Sequence, residues 1–260
     1  MKEPTSEAQQ DGKVPEVTLV FWIMKIAATT LGETGGDTVS MTLGWGYLTS
    51  TALFLSLLVV LIAVQISARR FRPVLYWATI IASTTAGTTM ADFADRSLGI
   101  GYAGGSSILF LCLMIVLAAW YRFCGTISVA TVNNAKVEAF YWAAITLSQT
   151  LGTALGDWVA DDTGLGYDGG ALVFAAGLAV LVAGYYWTGL SRVGLFWAAF
   201  ILTRPLGATL GDFLDKPVNE GGLALSRPLA SAVLAAFIII CLLLLPQRPG
   251  RHPGAAATSS

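Results

Sequence analysis

Four aspartates recur in this sequence of 260 residues at the end of one pattern: a tryptophan, nine residues, a glycine, four residues and the aspartate. The four copies are Trp22/Gly32/Asp37, Trp77/Gly87/Asp92, Trp142/Gly152/Asp157 and Trp197/Gly207/Asp212. Carboxylate oxygens suit hard cations such as Mn²⁺, Mg²⁺ and Ca²⁺, and buried carboxylates can also exchange protons. The four aspartates are therefore predicted to be metal ligands or proton carriers. The motif regions contain no cysteine or histidine, which disfavours Zn²⁺ and Cu⁺.

Polar residues continue from each aspartate back towards the tryptophan. Residues four apart lie on one face of a helix, so each copy predicts a polar stripe about three turns long. The stripes are Thr29/Glu33/Asp37, Thr84/Thr88/Asp92/Arg96, Gln149/Thr153/Asp157/Asp161 and Arg204/Ala208/Asp212/Lys216. Glu33, Thr88 and Thr153 are predicted as additional ligands because each lies one turn from an aspartate. Further acids near the motif ends, such as Asp95 and Asp215, are predicted to be solvated loop residues.

Two basic residues, Lys25 and Arg204, lie well inside the predicted motif helices. Ionisable groups within a membrane are costly and usually functional. Neither residue has an acid at the same depth in its own copy, so each is predicted to pair across helices, with Glu33 or a neighbouring aspartate. Their predicted role is that of internal counter-charges that reset the site when it is empty.

The composition predicts that these motifs lie in a membrane. The chain is 55% hydrophobic and 12% charged, whereas a soluble domain carries about 25% charged residues. Apolar runs such as 47–67 and 170–188 have the length of about 20 residues that spans a bilayer. The sequence therefore excludes a soluble enzyme, and its net charge of −1 excludes a broadly basic nucleic-acid-binding protein. The lipid bilayer is the predicted partner.

Each copy holds two apolar segments, which predicts an all-α membrane protein with eight transmembrane helices. The motif segments are about 17–37, 74–95, 139–160 and 193–214, and the plain segments are about 47–68, 103–121, 170–188 and 223–245. Two helices per copy give four tandem repeats of the same orientation, pseudo-symmetric about the membrane normal. The repeats are about 17–68, 72–121, 137–188 and 192–245. They form a single transmembrane domain, 17–245, between tails predicted to be disordered and cytoplasmic, 1–16 and 246–260.

The distribution of charge predicts the orientation of this domain. Most of the fifteen basic residues lie in the tails and in the loops between repeats, and most of the sixteen acids lie near the aspartate ends of the motifs. The positive-inside rule then places both termini in the cytoplasm of a multi-pass protein. The four aspartates are expected near the outer surface of the membrane.

Small residues beside the polar stripes predict how the helices pack. A pair of small residues four apart lets two helix backbones approach closely in lipid. The pairs are Gly32/Gly36, Gly87/Ala91, Gly152/Gly156 and Gly207/Gly211. The predicted assembly is a core of four motif helices whose stripes line a central cavity open outward, with the four plain helices around them. The four motif tryptophans are predicted to anchor the chain at the cytoplasmic edge of the membrane.

The four tandem copies resemble a family of bacterial membrane-anchored proteins named for a repeat of unknown function. Each repeat of that family has two membrane segments and a characteristic tryptophan, which Trp22, Trp77, Trp142 and Trp197 match. The resemblance covers about 17–245. It implies this fold and a location in the bacterial inner (plasma) membrane, and it implies no activity.

A shorter resemblance concerns the first copy alone. The run Glu33-Thr34-Gly35-Gly36-Asp37-Thr38 is similar to the Glu-x-Gly-Asp-basic-Thr signature of manganese and calcium exporters of the cation/proton exchanger type. Here one extra residue separates Gly35 from Asp37, no basic residue follows the aspartate, and the other copies lack the glutamate. The resemblance favours a cation as the substrate.

Three functions follow as hypotheses, and the leading one is a secondary transporter that exchanges a hard divalent metal such as Mn²⁺ for protons. The second is a transporter of a small organic solute, in which Arg204 and Lys25 bind a carboxylate. The third is a membrane module that binds a partner through its acidic outer loops, with the aspartates as structural partners of residues such as Arg96 or Lys216. No nucleophile–base pair or phosphate loop is recognisable, so an enzyme is not predicted, nor is a cofactor. A homo-oligomer is compatible with all three.

Overall fold

The computed structural model describes residues 12–218 and 222–250, and the chain forms eight α-helices within these residues. The motif helices are α1 (Leu19–Asp37), α3 (Pro73–Asp92), α5 (Ala135–Asp157) and α7 (Arg192–Asp215). The plain helices are α2 (Gly46–Ser67), α4 (Tyr102–Cys124), α6 (Gly166–Trp187) and α8 (Arg227–Leu244). This order, one motif helix followed by one plain helix in each copy, is the order that the sequence predicts.

Local sequence signals explain where the motif helices begin. The Thr18 hydroxyl accepts a hydrogen bond from the Phe21 amide, and the Asn134 side chain accepts one from the Val137 amide, so that each satisfies a free N–H at a helix start. Helix α3 begins with Pro73, whose fixed φ and missing N–H suit the first position of a helix.

Length and composition of the helices indicate a membrane protein. Helices α2, α4, α6, α7 and α8 are long and apolar enough to cross a membrane. Helices α1, α3 and α5 have 19, 20 and 23 residues, and they are less apolar because they carry the polar stripes. A helix of 20 residues is about 30 Å long, close to the thickness of the hydrocarbon core of a bilayer.

The four motif helices form a closed ring. Helix α1 packs against α3 and α7, and α5 packs against the same two helices, so the order around the ring is α1–α3–α5–α7. Each motif glycine faces the next helix at the residue eight positions before that helix's aspartate. The facing pairs are Gly32 and Thr84, Gly87 and Gln149, Gly152 and Arg204, and Gly207 and Thr29. Because the same positions meet at every interface, the four helices are parallel, and so the copies share one orientation.

The glycines allow this close approach. A Cβ atom on Gly207 would lie 2.1 Å from the Thr29 hydroxyl, and one on Gly87 would lie 2.9 Å from the backbone of Gln149. The second small residue of each pair lies one turn farther along the helix. Where it is a glycine, a Cβ atom would have more room than at the first glycine of the same pair. A Cβ atom at Gly36, Gly156 or Gly211 would meet its nearest neighbour at 3.1, 3.2 or 2.7 Å respectively.

Each plain helix packs against the motif helix of the following copy. Helix α2 packs on α3, α4 on α5, α6 on α7, and α8 returns to pack on α1. The last copy therefore covers the first, and the circle is closed through α8. No copy buries its own motif helix with its own plain helix alone, so the four copies depend on one another for their packing.

The first three motif helices end in the same way. A π-helical turn follows each of the aspartates Asp37, Asp92 and Asp157 directly, and a Gly-x-Gly segment then leads into the plain helix. Both glycines of each segment adopt positive φ, for example 70° at Gly44 and 74° at Gly46, a conformation that strains residues with a side chain. The fourth copy lacks this turn, and α7 instead continues to Asp215.

The two terminal segments pair with each other where the tryptophan-bearing ends of the motif helices lie. The Gly250 amide donates to the Val14 carbonyl at 2.8 Å, and the Glu16 amide donates to the Arg248 carbonyl at 2.9 Å. The prediction of disordered tails therefore does not hold for 12–16 and 246–250. The reason is tertiary, because the buried Lys13 forms an ion pair of 2.5 Å with Glu138 of α5. The rest of each tail, 1–11 and 251–260, lies outside the described residues.

Candidate functional site

A column of polar side chains runs along the axis of the ring of motif helices. It consists of layers, each with one residue from every motif helix, spaced by four residues. The Asp layer is Asp37, Asp92, Asp157 and Asp212; the Glu33 layer is Glu33, Thr88, Thr153 and Ala208; the Arg204 layer is Thr29, Thr84, Gln149 and Arg204; the Lys25 layer is Lys25, Ile80, Ile145 and Phe200. All of these residues are buried.

Arg204 joins all four motif helices. Its side chain is fully buried, and its Nη1 donates to Glu33 Oε2 of α1 at 3.0 Å. Its Nη2 donates to the hydroxyls of Thr88 on α3 at 2.6 Å and Thr153 on α5 at 2.5 Å. The prediction that Arg204 pairs across helices, with Glu33 or a neighbouring aspartate, is confirmed, and the partner is Glu33. The predicted ligands Thr88 and Thr153 are partners of Arg204 here, and Thr88 also donates to Glu33 Oε2 at 3.2 Å.

The axis is closed in this structure. The four aspartates of the Asp layer are only 1–2% exposed, and the Arg204 guanidinium lies across the axis beneath them. This differs from the predicted cavity open outward. The physical reason is that a single long arginine side chain reaches three neighbouring helices, which the smaller residues at the equivalent positions, such as Thr29, cannot do.

Two aspartates of the Asp layer, Asp92 and Asp157, share one arginine. Arg96 Nε lies 3.0 Å from Asp92 Oδ1, and Arg96 Nη2 lies 3.3 Å from Asp157 Oδ2. Arg96 follows Asp92 by one helical turn, so its guanidinium reaches its own aspartate and that of the next helix. The structure thus places these two sequence-predicted ligands in a bridge of two carboxylates and one arginine.

The other half of the Asp layer brings together three predicted ligands. Glu33, Asp37 and Asp212 each place one carboxylate oxygen within 4.8 Å of the other two. We call these residues the carboxylate triad. Asp37 Oδ1 is buried without a hydrogen-bond partner in the described part of the chain. Lys216 Nζ lies 3.4 Å from Asp212 Oδ1, and Arg227 Nε lies 3.6 Å from Asp37 Oδ2. Three carboxylates at this spacing could hold a cation that prefers hard oxygen donors.

Asp215 and Arg227 also belong to this site, although the sequence does not predict them there. Asp215 was predicted to be a solvated loop acid, but it is 8% exposed and accepts a hydrogen bond of 3.0 Å from Arg227 Nε. Asp95, which carried the same prediction, is also buried. The usable signal for Asp215 was its position three residues after Asp212, on the same side of a helix that continues past the motif.

The ion pairs at this end of the ring join six acids to four basic residues. The acids are Glu33, Asp37, Asp92, Asp157, Asp212 and Asp215, and the basic residues are Arg96, Arg204, Lys216 and Arg227. If all are ionised, six negative charges against four positive charges leave two negative charges uncompensated. Buried charge of one sign is costly, so this cluster favours the uptake of positive charge.

Lys25 lies apart from these acids. Its side chain is fully buried, its Nζ lies 3.5 Å from Gln149 Oε1, and it stands 4.1 Å from the centroid of the Phe200 ring. Lys25 forms no ion pair within residues 12–218 and 222–250. The prediction that Lys25 pairs with an acid is therefore wrong, because Arg204 lies between it and Glu33 and occupies that carboxylate.

Below the Lys25 layer, aromatic side chains fill the ring. Trp77, Trp142 and Trp197 are at most 3% exposed, and the Tyr76 and Tyr141 hydroxyls are 2.6 Å apart. The prediction that the motif tryptophans are interfacial anchors is wrong for these three tryptophans. They pack edge-to-face with their neighbours, a preferred geometry for aromatic pairs, and close this end of the polar column.

Comparison with protein families identifies the repeat. A family described as a repeat of unknown function (DUF347) matches residues 20–71, 75–126, 140–191 and 195–246, most of the chain. The chain belongs to this DUF347 repeat family. No curated protein and no solved structure matches it.

The DUF347 repeats share a frame on which single residues differ. Each matched segment begins two residues before the motif tryptophan and contains the motif glycine and aspartate at the same positions. Glu33, Lys25 and Arg204 each occur in one repeat only, and the equivalent positions of the other repeats hold uncharged residues. The four repeats thus place the residues of the column at equivalent positions, whereas the charges within the column are asymmetric.

Proposed function

We propose that the chain spans a bacterial inner membrane eight times, with both termini in the cytoplasm. The buried polar stripes support this, because α1, α3 and α5 turn their polar residues into the ring and do not need to present them to lipid. The outward faces of the plain helices are apolar, with exposed residues such as Val59, Val180 and Leu243. As membrane spans, α1, α3 and α5 would therefore present their polar side chains to protein and not to lipid.

Cysteine labelling tests this orientation. In a chain whose native cysteines are replaced by serine, Asp168→Cys should react with a membrane-impermeant maleimide in intact cells. Lys136→Cys, at the opposite end, should react only after permeabilisation. Both residues are exposed, so access depends on the side of the membrane. The reverse pattern would place the termini outside and would contradict the proposed orientation.

We further propose that the protein is a secondary transporter that exchanges a hard divalent cation such as Mn²⁺ for protons. The observation on which this depends is the carboxylate triad within a cluster that holds two more acids than basic residues. One divalent cation or two protons would compensate that excess equally. An exchange of the two would therefore keep the buried charge balanced throughout the cycle.

Arg204 would couple the two states of this site. Glu33 is shared between the carboxylate triad and the Arg204 guanidinium, so a cation bound to Glu33 would compete with Arg204 for the same carboxylate. Release of the cation would return Glu33 to Arg204. The closed axis then corresponds to the cation-free form, in which positive side chains take the place of the substrate.

Thermal stability of the detergent-purified protein against Mn²⁺, Mg²⁺ and Ca²⁺ tests the cation site. A ligand that binds only the folded state stabilises it by about 2.7 kcal/mol at a concentration of one hundred times Kd. We expect selective stabilisation by one cation, lost in Asp37→Asn and retained in Asp168→Asn, which removes an exposed acid. In proteoliposomes, a pH gradient should drive uptake of that cation. Equal responses of the two variants would contradict the proposed site.

A second candidate is the transport of a small organic anion. The observation that favours it is Lys25, a buried basic residue with no acid partner in the described part of the chain. Under this proposal Arg204→Gln would reduce transport more than Asp37→Asn does. If the protein is a cation exchanger, Asp37→Asn should reduce cation binding more than Arg204→Gln does.

A further inference from the structure

Buried N–H donors without acceptors cluster around Lys25. A lysine ammonium has three donors, yet the only polar partner of Lys25 among the described residues is Gln149 Oε1, at the long distance of 3.5 Å. Gln149 Nε2 has no hydrogen-bond partner in that part of the chain, nor has Arg204 Nε. A buried donor that is left without an acceptor destabilises the folded state, and more so when it is charged.

These groups come from three helices and lie in two adjacent layers of the column. Lys25 belongs to α1, Gln149 to α5 and Arg204 to α7, and α1 and α5 lie on opposite sides of the ring. The Lys25 and Arg204 layers are one helical turn apart. A fourth group, the Thr84 hydroxyl of α3, is also buried without a partner in the Arg204 layer. All four motif helices therefore contribute an unused polar atom.

With Lys25 protonated, this region carries a net positive charge. The Arg204 guanidinium is compensated by Glu33 at 3.0 Å, which leaves the charge of Lys25 uncompensated. The Phe200 ring provides a favourable cation–π contact but no negative charge. One monovalent anion would supply both the missing charge and the acceptors that the unused donors lack.

We propose that Lys25, Gln149 Nε2 and Arg204 Nε form a binding site for a single monovalent anion, either a halide such as chloride or the carboxylate of a small solute. The site lies between the Glu33 layer and the aromatic end of the column, whereas the carboxylate triad lies in the Glu33 and Asp layers. Its existence does not depend on the proposed cation transport, because none of its groups belongs to the triad.

The test compares the thermal stability of the purified full-length protein in sodium chloride, sodium acetate and sodium isethionate at equal ionic strength and pH. Chloride or acetate should stabilise the wild type saturably relative to isethionate, favouring the folded state about 100-fold at one hundred times Kd. A response to chloride alone identifies a halide site, and a response to acetate alone identifies a carboxylate site.

Matched variants assign the response to this site. Lys25→Met keeps the volume and removes the charge, so it should abolish the response, whereas Lys136→Met, at an exposed lysine, should keep it. If Lys25→Met does not fold, Gln149→Leu serves the same purpose and should weaken the response. Asp37→Asn should respond to anions as the wild type does, so failure of the cation site is seen separately. Equal stability of the wild type in the three salts, as a neutral Lys25 would give, overturns the proposal, and so does a response that Lys25→Met retains.

Discussion

Arg204→Gln is expected to lower the free energy of unfolding by about 3–5 kcal/mol, the range for removing one partner of a buried ion pair. The substitution removes the counter-charge of Glu33, whose carboxylate lies beside those of Asp37 and Asp212. It also removes the hydrogen bonds that the Thr88 and Thr153 hydroxyls accept from Arg204. The measurement is thermal or denaturant unfolding of the purified protein, followed by the signal of the buried tryptophans.

Two variants make this expectation specific. Arg122→Gln removes an exposed arginine and should change stability by less than about 0.5 kcal/mol, the usual limit for surface substitutions. Glu33→Gln in the Arg204→Gln background removes the unpaired charge and should recover part of the loss. If the double variant is less stable than Arg204→Gln alone, the pair is not the source of the effect.

Gly207→Ala is expected to destabilise the ring by about 1–3 kcal/mol, the usual cost of overpacking a close contact, or to prevent its assembly. The added Cβ would lie 2.1 Å from the Thr29 hydroxyl and 2.5 Å from Thr29 Cβ. Thr29 is held in place because its hydroxyl donates to the Thr203 carbonyl at 3.2 Å. This interface joins α7 to α1, so the substitution acts where the last repeat meets the first.

Gly35→Ala is the matched control for this prediction. Gly35 lies within α1, and a Cβ atom there would meet nothing within 4 Å. The substitution should therefore stabilise the helix by up to about 1 kcal/mol through helix propensity alone. Opposite signs of the two changes in unfolding temperature are the expected result. Equal destabilisation by both would mean that the close approach at Gly207 does not matter.

The architecture separates packing from charge. The same parallel helix interface, with a motif glycine at its closest point, occurs four times. The circle closes because α8 packs on α1. On this frame the Asp layer is symmetric in sequence but not in its partners. Asp92 and Asp157 share Arg96, whereas Asp37 and Asp212 join Glu33 in the carboxylate triad. The four aspartates are therefore not equivalent, as they would be in a four-fold symmetric pore.

The sequence by itself determined the elements, their order and their shared orientation. The constant spacing of tryptophan, glycine and aspartate can be interpreted from helix geometry alone. Helix periodicity places these residues on neighbouring faces whatever the helix packs against. The same periodicity predicted the polar stripes and the close approach at residues such as Gly32. The sequence also predicted that Arg204 pairs across helices with Glu33 or a neighbouring aspartate, since one buried charge needs another.

Only the tertiary structure decided which side chains meet. The spacing of the four aspartates is the same in every repeat, so nothing local distinguishes Asp37, in the triad, from Asp92, beside Arg96. The buried tryptophans have the sequence signature of interfacial anchors, and their burial depends on the terminal segments and neighbouring helices that cover them. Lys25 has no acid partner among the described residues because Arg204, which lies closer to Glu33, pairs with that carboxylate. Such outcomes depend on distances between helices, which a one-dimensional pattern does not contain.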